Sequence, residues 1–121
     1  MDHEPELVWY VVKYYARLMT TPERLANRHL IGAMKATHGK GVVGAQAEAR
    51  KVWSFSRMMS HEPEVLRLAE NGYAAFIQRT AARILNEQSD EIFFNRCPKC
   101  GRLARTPQAR QCRSCGHDWH V

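Results

Sequence analysis

No apolar run in this chain is long enough to cross a bilayer. The longest strongly apolar stretch, Leu7 to Val12, is followed at once by Lys13 and then by Arg17, whereas a spanning helix needs about 20 apolar residues. The beginning, Met1-Asp2-His3-Glu4-Pro5-Glu6, is acidic and lacks the basic region, apolar core and small-residue cleavage site of a secretory signal. A cytoplasmic location is the expectation. Low-complexity segments are absent, and the only internal repetition is a pair of cysteine motifs near the end.

Catalytic constellations are missing as well. Gly39-Lys40-Gly41 lacks the Walker spacing with Ser or Thr after the lysine, and no strand precedes it. Ser54, Ser56 and Ser60 sit in no nucleophile elbow, and His29 and His38 lie nine apart, off the i, i+4 spacing that puts two ligands on one helical face. His61-Glu62 with Glu64 is the best remaining acid–base or second-metal group. It already has a structural explanation, because carboxylates favour the positive end of the helix that Pro63 opens. A non-enzyme is therefore expected.

What the sequence does contain is concentrated at its end. Four cysteines form two pairs, Cys97-Pro-Lys-Cys100-Gly and Cys112-Arg-Ser-Cys115-Gly. A Cys-x-x-Cys-Gly unit can fold as a knuckle that aims two sulfurs at one point, with Gly101 or Gly116 taking a backbone shape that other residues resist. The eleven intervening residues suffice for one short hairpin, which would bring the knuckles face to face. In a reducing cytosol this spacing favours metal ligation over bridging. A redox pair would need a strand-to-helix setting, and no iron–sulfur spacing fits these residues better than the zinc one. The expected ligands of one structural Zn²⁺ are Cys97, Cys100, Cys112 and Cys115, with exchange of one sulfur for His117 or His120 as the alternative.

In these motifs the chain resembles the zinc-ribbon group, over roughly Ile92 to Val121, about a quarter of its length. The resemblance implies a small antiparallel β unit organised by a structural metal, and no single activity. Taken whole, the chain is similar to small bacterial proteins that end in such a ribbon, a similarity that brings no activity with it.

The remainder reads as helical. Apolar residues at i, i+3, i+4 spacings predict helices from Pro5 to Met19 and from Pro22 to about Thr37. His38 to Gly44 reads as a flexible connector, and Ala45 to Met59 as a further helix. Pro63 to Glu70 is closed by Asn71-Gly72, and Tyr73 to Glu87 follows. Ile92-Phe93-Phe94 reads as a strand leading into the first knuckle. The expected architecture is mainly α, a bundle of about four to five helices over residues 1–91, packed as one body with a β zinc ribbon at 92–121 through Phe93, Phe94 and Trp119. At 121 residues and 45% hydrophobic content, a packed core is within reach.

The net charge of +6 is uneven. Arg96, Lys99, Arg102, Arg105, Arg110 and Arg113 face Asp118 as the lone acid in the terminal segment. Four thiolates on Zn²⁺ contribute a net charge of about −2, which leaves a modest positive surface suited to phosphate or to an acidic protein patch. Two partner classes follow. One is nucleic acid, contacted by those six basic residues, with Trp119 as the only stacking aromatic among the cysteine motifs. The other is an acidic protein, the chain then acting as a cytosolic adaptor or an immunity-type inhibitor of a toxin.

Overall fold

The computed structural model describes residues 4–38 and 58–120, with side chains except at 35–38. The glycine-rich connector beyond His38 and the helix expected from Ala45, as far as residue 57, lie outside them. Among the described residues the protein is mainly helical. It has four α-helices, α1 (Pro5–Tyr14), α2 (Thr21–His38), α3 (Pro63–Ala69) and α4 (Gly72–Gln88), and two short 3₁₀ turns, Ala16–Leu18 and Ser89–Glu91. The chain divides into two compact units, one made of Met1–Met19 with Ile77–Val121, the other of Thr20–Phe76. By packing, α1 therefore belongs with the cysteine-bearing segment.

In the first unit, α1 buries Val8, Tyr10, Val11 and Val12, and α4 buries Ile77, Thr80, Ala81 and Ile84. Those spacings are the helical period written in apolar side chains. The helix expected to reach Met19 stops at Tyr14. Tyr15 leaves helical geometry at φ −125°, ψ 30°, and a 3₁₀ turn follows. The turn keeps Tyr15 and Met19 buried, while Arg83 donates to the freed Leu18 carbonyl at 3.0 Å. A helix end needs such a partner for its carbonyls.

The strand expected at Ile92–Phe94 does not form. Its backbone groups are taken by side chains: the Phe93 N–H donates to the Tyr15 hydroxyl at 3.1 Å, and the Phe93 carbonyl accepts from Tyr10. The Asn95 N–H then donates to the Tyr10 hydroxyl at 3.2 Å. With the Phe93 groups engaged by hydroxyls, no ladder forms on that edge. One of the three expected apolar contacts is corrected too, while Phe94 and Trp119 are partly buried. Phe93 is 62% exposed, and Ile92 is the side chain that goes into the core.

In the second unit, Thr20 and Glu23 form a reciprocal cap at the start of α2. The Thr20 N–H donates to Glu23 at 2.8 Å, and the Glu23 N–H donates to the Thr20 hydroxyl at 3.3 Å. Helix α2 packs on α3, with Ala26, Leu30 and Val65 buried. The Ser60 N–H donates to His29 Nδ1 at 3.0 Å just before α3 begins.

Candidate metal centre

Each knuckle closes on itself. The Cys97 N–H donates to the Arg102 carbonyl at 2.8 Å and the Gly101 N–H to the Cys97 carbonyl at 2.9 Å; in the second motif Cys112 donates to His117 at 2.8 Å and Gly116 to Cys112 at 3.1 Å. Gly101 and Gly116 hold φ of +80° and +77°, the left-handed backbone the turn requires. Two N–H groups aim at the first sulfur of each pair. Lys99 and Cys100 donate to Cys97 Sγ at 3.4 Å each, and Ser114 and Cys115 donate to Cys112 Sγ at 3.3 and 3.4 Å.

The pairing of the backbone differs from the expected hairpin. Among the described residues there is no strand, and the β bridges are Arg96 with Leu103 and Gln111 with Asp118, both antiparallel. Each knuckle thus folds back on its own flanks, and the eleven residues between Cys100 and Cys112 do not form the expected hairpin. Closing a loop of a few residues costs less chain entropy than closing one between knuckles. The link between them is instead gathered by Asn95, whose side-chain amide donates to the Thr106 carbonyl at 2.8 Å and to the Ala109 carbonyl at 2.9 Å.

The four sulfurs converge, all lying within 4.8 Å of one another. The close approaches run across the knuckles, Cys97 to Cys115 at 3.6 Å and Cys100 to Cys112 at 3.5 Å. These separations are far beyond the roughly 2.05 Å of an S–S bond, and all four thiols are free. Cys97 and Cys112 are buried, Cys100 and Cys115 exposed. Among the described residues this is the one cluster of at least three metal-ligating side chains. His117 stacks beside Trp119, His120 contacts Asp118, and His61, Glu62 and Glu64 are exposed and join no such cluster.

The environment favours thiolate at the first cysteine of each pair. Burial pushes the Cys97 thiol up, but hydrogen bonds from the Cys100 and Lys99 N–H groups and from neighbouring thiols bring it below its ordinary value. Cys112 falls to about 6, chiefly through the Cys115 N–H. At Cys100 the Arg102 N–H favours thiolate, yet desolvation and its three thiol neighbours prevail and raise it to about 11. Such a cluster can bind a cation by exchanging protons for it.

All six basic residues of the segment are exposed. Arg96, Arg102 and Arg113 line a cleft of about 470 Å³ that also meets Glu4, Glu6 and Cys100. Arg105, Arg110 and Arg113 line a second, of about 430 Å³, with His120 and Cys112. Arg113, on the second knuckle, belongs to both, and Lys99 lines neither. The residues missed by sequence reasoning are Asn95, Tyr10 and Tyr15, which hold the knuckles in place. Their signal was faint: hydroxyl-bearing aromatics inside an apolar helix face, and an amide just before a cysteine motif. Compared with known proteins, the chain matches no family model, no curated protein and no solved structure, so the chemistry of the centre rests on its own geometry.

Proposed function

We propose that the cysteine cluster holds one structural Zn²⁺ as a zinc ribbon, and that the protein is a non-catalytic, cytoplasmic nucleic-acid-binding protein. The all-sulfur donor set supports zinc, since four thiolates suit a tetrahedral site. A tetrahedron with Zn–S bonds of about 2.3 Å has edges of roughly 3.8 Å, close to the 3.5 and 3.6 Å approaches across the knuckles. Four sulfurs leave no open position for water, so the ion shapes the segment and activates nothing. The observation that carries the binding reading is the set of arginines around this centre, in two clefts that share Arg113. Several exposed guanidiniums in such an array attract a polyanion more than a single small ligand.

Native mass spectrometry of freshly purified protein should find one zinc per chain. Anisotropy titration of labelled DNA and RNA at about 50 and 200 mM salt should show affinity that falls with salt. Absence of stoichiometric metal, or of salt-dependent binding to any nucleic acid, overturns the respective half of the reading. A second reading, an adaptor or immunity-type inhibitor, is favoured by the exposed Trp9 and Phe93, at 50% and 62%. Co-purification of a protein partner together with absent nucleic-acid binding would select it.

A further inference from the structure

We propose that the second knuckle is the recognition face and that it takes single-stranded nucleic acid, with a base on Trp119 and the backbone phosphates along Arg105, Arg110 and Arg113. This rests on the nucleic-acid reading above. The two knuckles are a structural repeat offset by fifteen residues. Every backbone hydrogen bond of the first has its counterpart in the second, including Ala104 N–H to Asn95 carbonyl at 2.7 Å and Trp119 N–H to Arg110 carbonyl at 2.8 Å. Even the side-chain contact recurs, Arg96 donating to the Gly101 carbonyl at 3.3 Å and Gln111 to the Gly116 carbonyl at 3.5 Å.

Within so close a repeat, the positions that differ show what each copy does. Asn95 is buried and ties down the inter-knuckle link; its counterpart Arg110 is exposed. Ala104 is fully buried; its counterpart is Trp119, only half-buried. The first knuckle uses these positions for anchoring, and the second presents a cation and an indole at the same places. The Trp119 N–H and the Arg110 carbonyl are joined across the backbone pair, so the two residues stand opposite each other at the edge of the arginine cleft. His117 lies beside the indole, 6.0 Å between centroids and 26° between planes. Among the described residues Arg105, Arg110 and Arg113 have no ion-pair partner.

A single strand matches this arrangement in two ways. It offers the face of a base, which a duplex keeps inside its stack, and it carries phosphates at intervals that an arginine cleft can follow. Residues 92–120 hold no helix to enter a major groove, the usual requirement for reading a duplex. An acidic peptide would satisfy the charge and leave the indole unused.

The test is anisotropy titration of a labelled single strand about ten nucleotides long, of its duplex and of a polyglutamate peptide, using the zinc-loaded full chain and the variants Trp119→Ala, Trp119→Phe and Arg110→Ala. Tighter binding of the single strand is expected, with a loss of about tenfold or more in Trp119→Ala and near-retention in Trp119→Phe. Arg110→Ala should weaken binding and reduce the salt slope by about one. A protein carrying Trp9→Phe and Trp53→Phe, with Trp119 as its sole tryptophan, should lose fluorescence on binding, a readout that does not depend on how Trp119→Ala folds. Binding without quenching, unchanged affinity in Trp119→Ala, or preference for the duplex overturns this proposal and leaves the broader reading standing. Binding of polyglutamate alone, or of none of the probes, overturns both.

Discussion

Gly101 and Gly116 show how much of the centre is set by single backbone angles. A methyl group added at either would meet nothing within 4 Å, so the cost of alanine is the left-handed φ alone, about 1–2 kcal/mol. Gly101→Ala and Gly116→Ala should each weaken metal affinity roughly 5- to 30-fold in a chelator competition. Asn95 is the opposite case, a side chain whose whole value is its partners. Asn95→Ala removes two hydrogen bonds and leaves two carbonyls at the link without a donor. A loss of about 2–3 kcal/mol is expected in urea unfolding. The cysteines could be read from the sequence because ligand spacing is local; Asn95 could not, because an amide has the same local meaning in any loop.

Helix α1 carries a consequence for alkaline pH. Tyr10 is buried, and desolvation raises its phenol above the ordinary value of 10.0, with the neighbouring Tyr15 adding to the rise and the Asn95 N–H opposing it. The folded state therefore holds the proton more tightly than the unfolded chain. Stability from this group is complete below about pH 10 and is lost as pH climbs through the folded value. Thermal melts from pH 8 to 11 should show a fall that begins near pH 10, and Tyr10→Phe should remove part of it while starting from a lower stability. The elements themselves divide by how local their causes are. Helices α2 and α4 follow their apolar period, α2 with its Thr20–Glu23 cap, and lie within a residue or so of where the sequence predicts them. The end of α1 and the missing strand at Ile92–Phe94 were set by hydroxyls reaching across 78 to 85 residues of chain, which no periodicity contains.

For the whole molecule, the two packing units predict that removing the proposed ion is a selective perturbation. The cysteines belong to the unit that contains α1 and most of α4, and α2 and α3 belong to the other. Chelator-treated protein should lose amide protection over residues 92–120 and in part over α1, whose tyrosines grip that segment, while α2 and α3 keep theirs. Hydrogen exchange followed by mass spectrometry checks this, and uniform loss across both units would show that the ion supports the entire chain.

By itself the sequence determined which four cysteines come together, the helical character and the concentration of positive charge beside them, because spacing, period and composition act within a few residues. Only the tertiary structure decided that each knuckle closes on its own flanks, that α1 grips the first of them, and that the second leaves Arg110 exposed and Trp119 half-buried where the first buries Asn95 and Ala104. Those outcomes depend on which buried donors and acceptors meet, and groups distant along the chain meet only once the core has packed.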